Sequence, residues 1–332
     1  MTGPGSVSTA TTTTTPGAVR FTTYNLLNLF AADTAEARQH YETIVAVIRA
    51  LDTDVLAVQE ILAPDRAAAA ERLRGLADDA GMRCEVPGSP GSAGSPASDA
   101  AVAFGGHGYH VGLMWRDGLE PVPGSLRCYG GWDFWHGLAL VTLDVGGTRI
   151  RHGSFHATPF SPGMRTDQNV RLVAAVTRPA GESPVLVGAD WNTECADRIP
   201  AGPTWDLYEP ADPYAGAEWF ADLVYQCQWD YDERGCRRHW ADRRPGDVLW
   251  AGGLHDVAAV TGAAWQPTTG HHPADVYGAH GVRRRIDAVR VTGPLVPAVR
   301  AHHVHDTAQT QAASDHLPVT VEYLPAAVRL TP

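Results

Sequence analysis

Two polar residues closing an apolar run are the first sign of chemistry in this 332-residue chain. The run reads Pro184-Val-Leu-Val-Gly-Ala-Asp190-Trp-Asn192-Thr-Glu194. Val185, Leu186 and Val187 lack polar alternation, the pattern of a strand covered on both faces. Gly188 and Ala189 then remove bulk where the chain leaves the sheet. Asp190 and Asn192 are two apart, so an extended backbone projects them from one side. A carboxylate there can hold or deprotonate a water, and an amide can donate to an oxyanion. The plainer reading is an Asx turn that only closes a strand.

Comparable residues recur along the chain. Thr23-Tyr24-Asn25 ends an early strand and Val58-Gln59-Glu60 the next; His156 closes Ser154-Phe155-His156, with Arg165 and Gln168 following; Arg285-Ile286-Asp287 and Ser314-Asp315-His316 come last. Each has a structural reading, such as a solvated Glu opening a loop or a strand-end His satisfied in a core. A lone carboxylate ending an apolar strand, as Glu60 does, also sits at a sheet edge where a hard cation could reach it. Asp287 lies within an apolar strand, where an unpaired carboxylate is costly. His316 is its natural partner.

In this order, over residues 20 to 323, the six motifs resemble the endonuclease/exonuclease/phosphatase superfamily, which includes DNase I-like nucleases, abasic-site endonucleases and inositol-phosphate phosphatases. The resemblance implies an α/β fold, a four-layer αββα sandwich of two mixed β-sheets with flanking helices and a site where the loop ends of both sheets meet. It implies Mg²⁺, with Mn²⁺ as a substitute, bound directly by Glu60 and supported by Asn25 and Asp315. Asp190 would be the general base. Asn192 and His156 would contact phosphoryl oxygens, and His316, oriented by Asp287, the phosphate or the leaving oxygen. His152, four residues before His156 on the same strand face, Arg165 and Trp191 are candidate substrate contacts. The one departure is Gly188-Ala189-Asp190-Trp191-Asn192, where the family more often has Gly directly before the Asp and Phe after it.

The elements that must position these residues are legible in outline. Strands are expected at Val19 to Asn25, Asp54 to Gln59, Tyr109 to Arg116, Gly137 to Val145 and Arg149 to His156, the last two joined by a Gly146-Gly147 hairpin turn. Helices are expected from Thr34 to Leu51, capped by Asp33 or Thr34, from Arg66 to Ala80, and from about Pro162 to Arg178. Pro87 to Gly108, rich in Gly, Ser and Pro, reads as a flexible surface loop. Residues 18–325 are expected to form one domain, with a disordered tail at 1–17 and a short C-terminal tail at 326–332. The stretch 193–252 carries Trp205, Trp219, Trp229, Trp240 and Trp250 and reads as an insertion on the rim of the site. Its rings are either a stacking platform or a small core of their own.

Composition narrows the partners. The net charge of −11 disfavours a protein dedicated to duplex DNA, which would carry a basic surface; arginines cluster locally at 234–244 and 283–285. No stretch is long and apolar enough for a bilayer, and the N-terminus lacks the basic and apolar regions of a secretory signal. Five scattered cysteines imply no disulfide framework, so a cytoplasmic location is the default. Cys227, Cys236 and His239 could offer three zinc ligands but lack a fourth at suitable spacing.

The chain is therefore read as a divalent-metal-dependent phosphoester hydrolase acting on a nucleotide-like or small phosphorylated substrate, a nucleotide or short nucleic acid included, with no membrane or protein partner implied. A DNA or RNA nuclease of the same superfamily is the alternative. Two others are a non-catalytic binding module and a scaffold turned to non-phosphate, metal-assisted chemistry.

Overall fold

A computed structural model describes residues 15–88, 98–178 and 184–329. Most of the expected N-terminal tail (1–14), the centre of the expected surface loop (89–97) and the end of the C-terminal tail (330–332) lie outside them. Two mixed sheets dominate. The first has six strands, in the order Val299–Val304, Val319–Tyr323, Val19–Leu29, Val55–Leu62, Tyr109–Trp115 and Val102–Ala103. The second has seven; its path runs Leu254–Asp256, Asp287–Thr292, Val185–Asp190, Thr148–His156, Leu138–Val145 and Glu120–Pro121, with Arg127–Tyr129 also paired to Leu138–Val145. Each contains a parallel pair, Val19–Leu29 with Val55–Leu62 and Thr148–His156 with Val185–Asp190.

The alternation of side chains along these strands creates three apolar layers. Between the sheets Phe21, Ala57, Leu113 and Val321 of the first meet Val141, Leu186, Val289 and Val291 of the second. Outside the first sheet, Leu56, Val58 and Met114 pack on helices α1 (Ala35–Leu51) and α2 (Arg66–Ala80). Outside the second, Phe155, Val185, Val187 and Ala189 pack on α3 (Pro162–Thr177) and α4 (Arg244–Ala251) through Leu172, Val176 and Leu249. The four-layer sandwich expected from sequence is present. Thr34 caps α1 as read, accepting from Ala37 N, and Asp65 and Ser161 do the same for α2 and α3 with Ala68 N and Met164 N.

Three readings need correction. The second strand does not stop at Gln59 but continues to Leu62 past a register shift between Val58 and Ile61, where Glu60 takes φ +64°. A bulge of this kind re-aims a side chain without ending the ladder. The expected loop 87–108 contains Ser98–Ala100 and Val102–Ala103 as strands with Ala100 to Ala103 buried. The small side chains of that run hide its strand character from a hydropathy reading. Finally, 193–252 is not one rim insertion, because its end forms α4, which Asn169 Nδ2 of α3 ties to the core through Pro245 O at 2.9 Å. The remainder forms two hairpins, Arg198–Ala201 with Thr204–Leu207 and Cys227–Tyr231 with Arg237–Ala241. Tyr214, Leu223, Cys227 and Ala241 make a small core there with Tyr277 and Val282.

The zinc reading also fails. Cys227 pairs with Ala241 at the open end of its hairpin, whereas Cys236 follows the Tyr231–Arg237 pair at the turn. They sit a strand length apart, and all five cysteines are free. No helix among the described residues is long and apolar enough to cross a membrane.

Gly188 marks the closest approach of the sheets behind the site. A Cβ built there would fall 2.8 Å from Thr23 Cβ and 3.2 Å from Ala57 Cβ. Gly188→Val is expected to cost about 1–3 kcal/mol, as overpacking of a filled core does, and chemical denaturation of the variant checks this.

Candidate active site

Sheet register assembles the site. His156 pairs with Asp190 across the parallel pair, and Asp190 pairs with Asp287 across the antiparallel one, so three titratable residues form one rung over three adjacent strands. The first sheet contributes Asn25, in register with Gln59, and then Glu60. Ser314 Oγ donates to Asn25 O at 2.8 Å, tying the 314–316 turn to the first strand.

Asp190 is the hub and is 2% exposed. Its Oδ1 accepts from Asn192 N at 2.9 Å; its Oδ2 accepts from Asn25 Nδ2 at 3.1 Å and lies 3.3 Å from His156 Nε2 and 3.7 Å from His316 Nε2. Burial alone would push this carboxyl up, but His316, His156 and the Asn192 backbone outweigh it and hold the group well below the usual carboxylate range. The Asx-turn reading of Asp190 therefore holds, since its Oδ1 accepts from Asn192 N. The backbone is not extended here, because Asn192 adopts φ +49° and its Nδ2 donates to Ala157 O at 3.1 Å.

Asp287 takes His316 Nδ1 at 2.8 and 3.0 Å. The bond fixes the ring so that Nε2 points toward Asp190 and the cleft. Burial would lower the His316 pKa, but Asp287, Asp190 and Asp315 raise it well above the ordinary histidine value.

Glu60 is held by two donors, Asn25 Nδ2 to Oε1 at 3.1 Å and Asn28 N to Oε2 at 2.7 Å. The second requires the left-handed conformation of Leu27 and Asn28, at φ +50° and +52°. Each Glu60 oxygen keeps a lone pair. Asp315 lines the same cleft with its side chain 19% exposed, 4.0 Å from His316 Nε2. These two carboxylates form an oxygen-only donor set beside open space, which fits a hard cation that keeps part of its water. Asp190, Asp287 and His316 have atoms within 4.8 Å of one another and could in principle hold a metal as well. Asp287 already accepts from His316 Nδ1, whereas Glu60 and Asp315 offer oxygen donors on the cleft wall, with Asn25 bonded to Glu60.

The cleft has a volume of about 590 Å³. Sequence reasoning missed most of its wall. His107 stacks on Trp135 with centroids 4.2 Å apart, and Phe160 meets Tyr225 edge-on at 5.6 Å. His136 packs on His156 at 4.2 Å, with its Nδ1 unpartnered. Burial and the His156 charge push the His136 pKa well down, so it is a neutral imidazole. Its one sequence cue is its place two residues before the strand that pairs with the His156 strand. Arg284 is the only arginine or lysine among the described lining residues, and it is committed to Asp275 at 3.3 Å and to the face of Tyr277 at 3.8 Å.

The three expected substrate contacts lie elsewhere. His152 is fully buried between the sheets, with Nε2 2.9 Å from Tyr323 Oη, because its strand position alternates inward at that level. Arg165, also fully buried, donates to Thr158 O at 2.8 Å, Pro159 O at 3.0 Å and Tyr225 O, so it braces the cleft wall from behind. Trp191 faces the α3 layer, its Nε1 donating to Ala288 O at 3.0 Å. The tryptophans of 193–252 do not line the cleft, whose residues from that segment are Asp222, Tyr225 and Gln226. The arginines of 234–244 are mostly spent locally: Arg237 lies over Trp219, and Arg238 and Arg244 pair with Asp230 and Asp242.

The sandwich thus gathers acid, amide and imidazole groups at one end of two facing sheets. A sequence model of the Endonuclease/Exonuclease/phosphatase family matches residues 22–316, and the chain belongs to that family. Among curated proteins none matches the sequence. An endonuclease/exonuclease/phosphatase from Bacteroides vulgatus superposes with TM-score 0.58 at 13% identity, covering 92% of this chain and 98% of that one. The homologous protein from Beutenbergia cavernae gives 0.54 at 21% identity, covering 92% and 71%. D. rerio TDP2 complexed with single-strand DNA product gives 0.56 at 14%, covering 92% and 98%. At these identities the likeness concerns the fold.

Two outcomes are expected. Arg165→Ala should destabilise the fold by roughly 2 kcal/mol or more, since several carbonyls lose a charged donor, whereas a residue used only for substrate contact would leave the melting temperature unchanged. For His316, the raised folded pKa means its stabilisation is fully present below the unfolded value of 6.5 and is lost as pH rises through the folded value. Wild-type stability should therefore decline on the alkaline side more steeply than that of His316→Gln in denaturation series at several pH values.

Proposed function

We propose that the protein is a divalent-metal-dependent hydrolase of nucleotide-like or small phosphoesters. The observation that carries this reading is the buried Asp190 carboxylate, ringed by Asn25, His156 and His316 at the mouth of a cleft that also holds Glu60 and Asp315. Asp190, kept ionised by these donors, orients a water and takes its proton. Asn192, His156 and the neutral His136 present N–H groups where a phosphoryl oxygen gathers charge. His316, fixed by Asp287, serves the leaving oxygen through Nε2. A divalent cation at Glu60 and Asp315, with Asn25 in support, would supply Lewis-acid stabilisation of the phosphoryl group.

The walls argue for a small substrate. Polynucleotide binding calls for a row of cations that neutralise successive phosphates, and the described cleft offers only Arg284, which is already paired. Rings such as Trp135, Phe160 and Tyr225 suit a base or other flat group. The five free cysteines fit a reducing compartment, so we place the enzyme in the cytoplasm.

A phosphoester panel with Mg²⁺ or Mn²⁺ tests the reading; turnover should disappear in EDTA, and activity that persists there would overturn it. Asp190→Asn should lower turnover by about a hundred- to ten-thousand-fold with metal affinity nearly intact, while Glu60→Gln should weaken metal binding measured by calorimetry. Asp287→Ala, His316→Ala and the double variant should each cost similar amounts, because groups that act as a unit are non-additive. Efficient plasmid nicking that falls sharply with salt would move the protein to the nuclease side of the family.

A further inference from the structure

A second cavity, sharing no lining residue with the catalytic cleft, holds a carboxyl without a counter-ion. Glu194, four residues past Asp190, is 3% exposed, and its Oε1 has no hydrogen-bond partner. It takes no part in the ion pairs around it. Arg284 pairs with Asp275, Arg285 with Glu209 and with Asp256 at 2.7 Å, and Arg290 with Asp197 at 2.7 Å. Arg243 donates to the carbonyls of Cys195 and Ala211. Every other carboxyl of this cluster has a guanidinium; Glu194 is left over.

Glu194 lines a cavity of about 170 Å³ together with Tyr208, Glu209, Pro210, Pro213, Trp265 and Arg283. The Trp265 ring is 46% exposed. One unpaired carboxyl beside Glu209, which Arg285 already holds, does not offer a metal its shell of six or more oxygens. An anion would meet both carboxyls against the single guanidinium of Arg283. What the walls do complement is a positive charge with carbon attached, which can meet the carboxylate at one end and aromatic faces along its length.

We propose that this cavity is a binding site for a small organic ammonium cation of a few carbon atoms, with Glu194 as its counter-ion and Trp265 and Tyr208 as its apolar walls. Burial and Glu209 raise the Glu194 pKa to about 8 against the pull of Arg243, Arg284 and Arg285. The carboxyl of the free protein thus carries its proton near neutrality. Binding then joins R–NH₃⁺ to the carboxylate and releases that proton to solvent.

The test is calorimetric titration of the full chain at pH 8.5 with methylammonium and propylammonium, with K⁺ as the inorganic control. Saturable amine binding is expected, with a heat that changes with buffer ionisation enthalpy as proton release requires. Glu194→Gln should weaken it at least tenfold. Trp265→Ala, at a position 46% exposed, should weaken it as well, so the proposal stays testable should the first variant fold poorly. Amines should also raise the melting temperature of the wild type and not that of Glu194→Gln. Absence of saturable binding, binding that Glu194→Gln leaves intact, or K⁺ binding as well as the amines would overturn the proposal. None of these readouts depends on phosphoester turnover, so its failure and that of the catalytic reading are separable.

Discussion

A carboxylate taken out of water is tolerable only where donors replace the water, and the architecture around Asp190 follows from that demand. The donors come from separate elements: Asn25 from the first sheet, His156 from the neighbouring strand, the Asn192 backbone from the turn beyond, and His316 from the far end of the chain. His316 carries charge into the same buried place and needs its own counter-ion, which Asp287 supplies from the adjacent strand. Asp190 is consequently ionised and oriented before any ligand arrives. Such preorganisation leaves little to rearrange during reaction.

Much of this was legible in the sequence because residues at strand ends inherit their positions from the sheet. The Asp287–His316 pairing followed from the cost of an acid in an apolar strand, and the helix boundaries from their caps and stripes. Residues whose role depends on tertiary alternation were not legible. His152 and His156 share a strand face, yet four residues of rise separate the space between the sheets from the open cleft, and no local pattern reports which level a side chain occupies. Arg165 is a candidate substrate contact by resemblance; in the structure three carbonyls use it as a brace. The Trp-rich segment drew attention by composition, while the aromatic wall of the cleft comes from residues scattered over 107–160, 225 and 277. Glu60 was read correctly as a cleft residue, although the bulge that aims it was not foreseen.

The cleft and the smaller cavity differ in how charge is handled. Around Asp190 every anion has nitrogen partners, and the free capacity lies in the Glu60 and Asp315 oxygens facing open space. Behind it, Arg285 and Arg290 cross-link the 193–252 segment to the second sheet through buried ion pairs with Glu209, Asp256 and Asp197. A desolvated guanidinium is costly to strand, so this network fixes how the hairpin-rich segment seats beside the cleft. Arg284 reaches both environments.

The rung formed by His156, Asp190 and Asp287 has a consequence for how such a protein can change over time. Spacings among these groups are inherited from the hydrogen-bonded ladder, whose strands stand about 4.8 Å apart, and not from any loop. Insertions in the loops between strands leave the ladder untouched, so substrate preference is free to drift with loop length while the reacting geometry stays constant. A one-residue slip of any of the three strands does the opposite: it turns that strand's member of the rung to the other face and breaks the constellation. Diversification of this scaffold is thereby channelled into its rim.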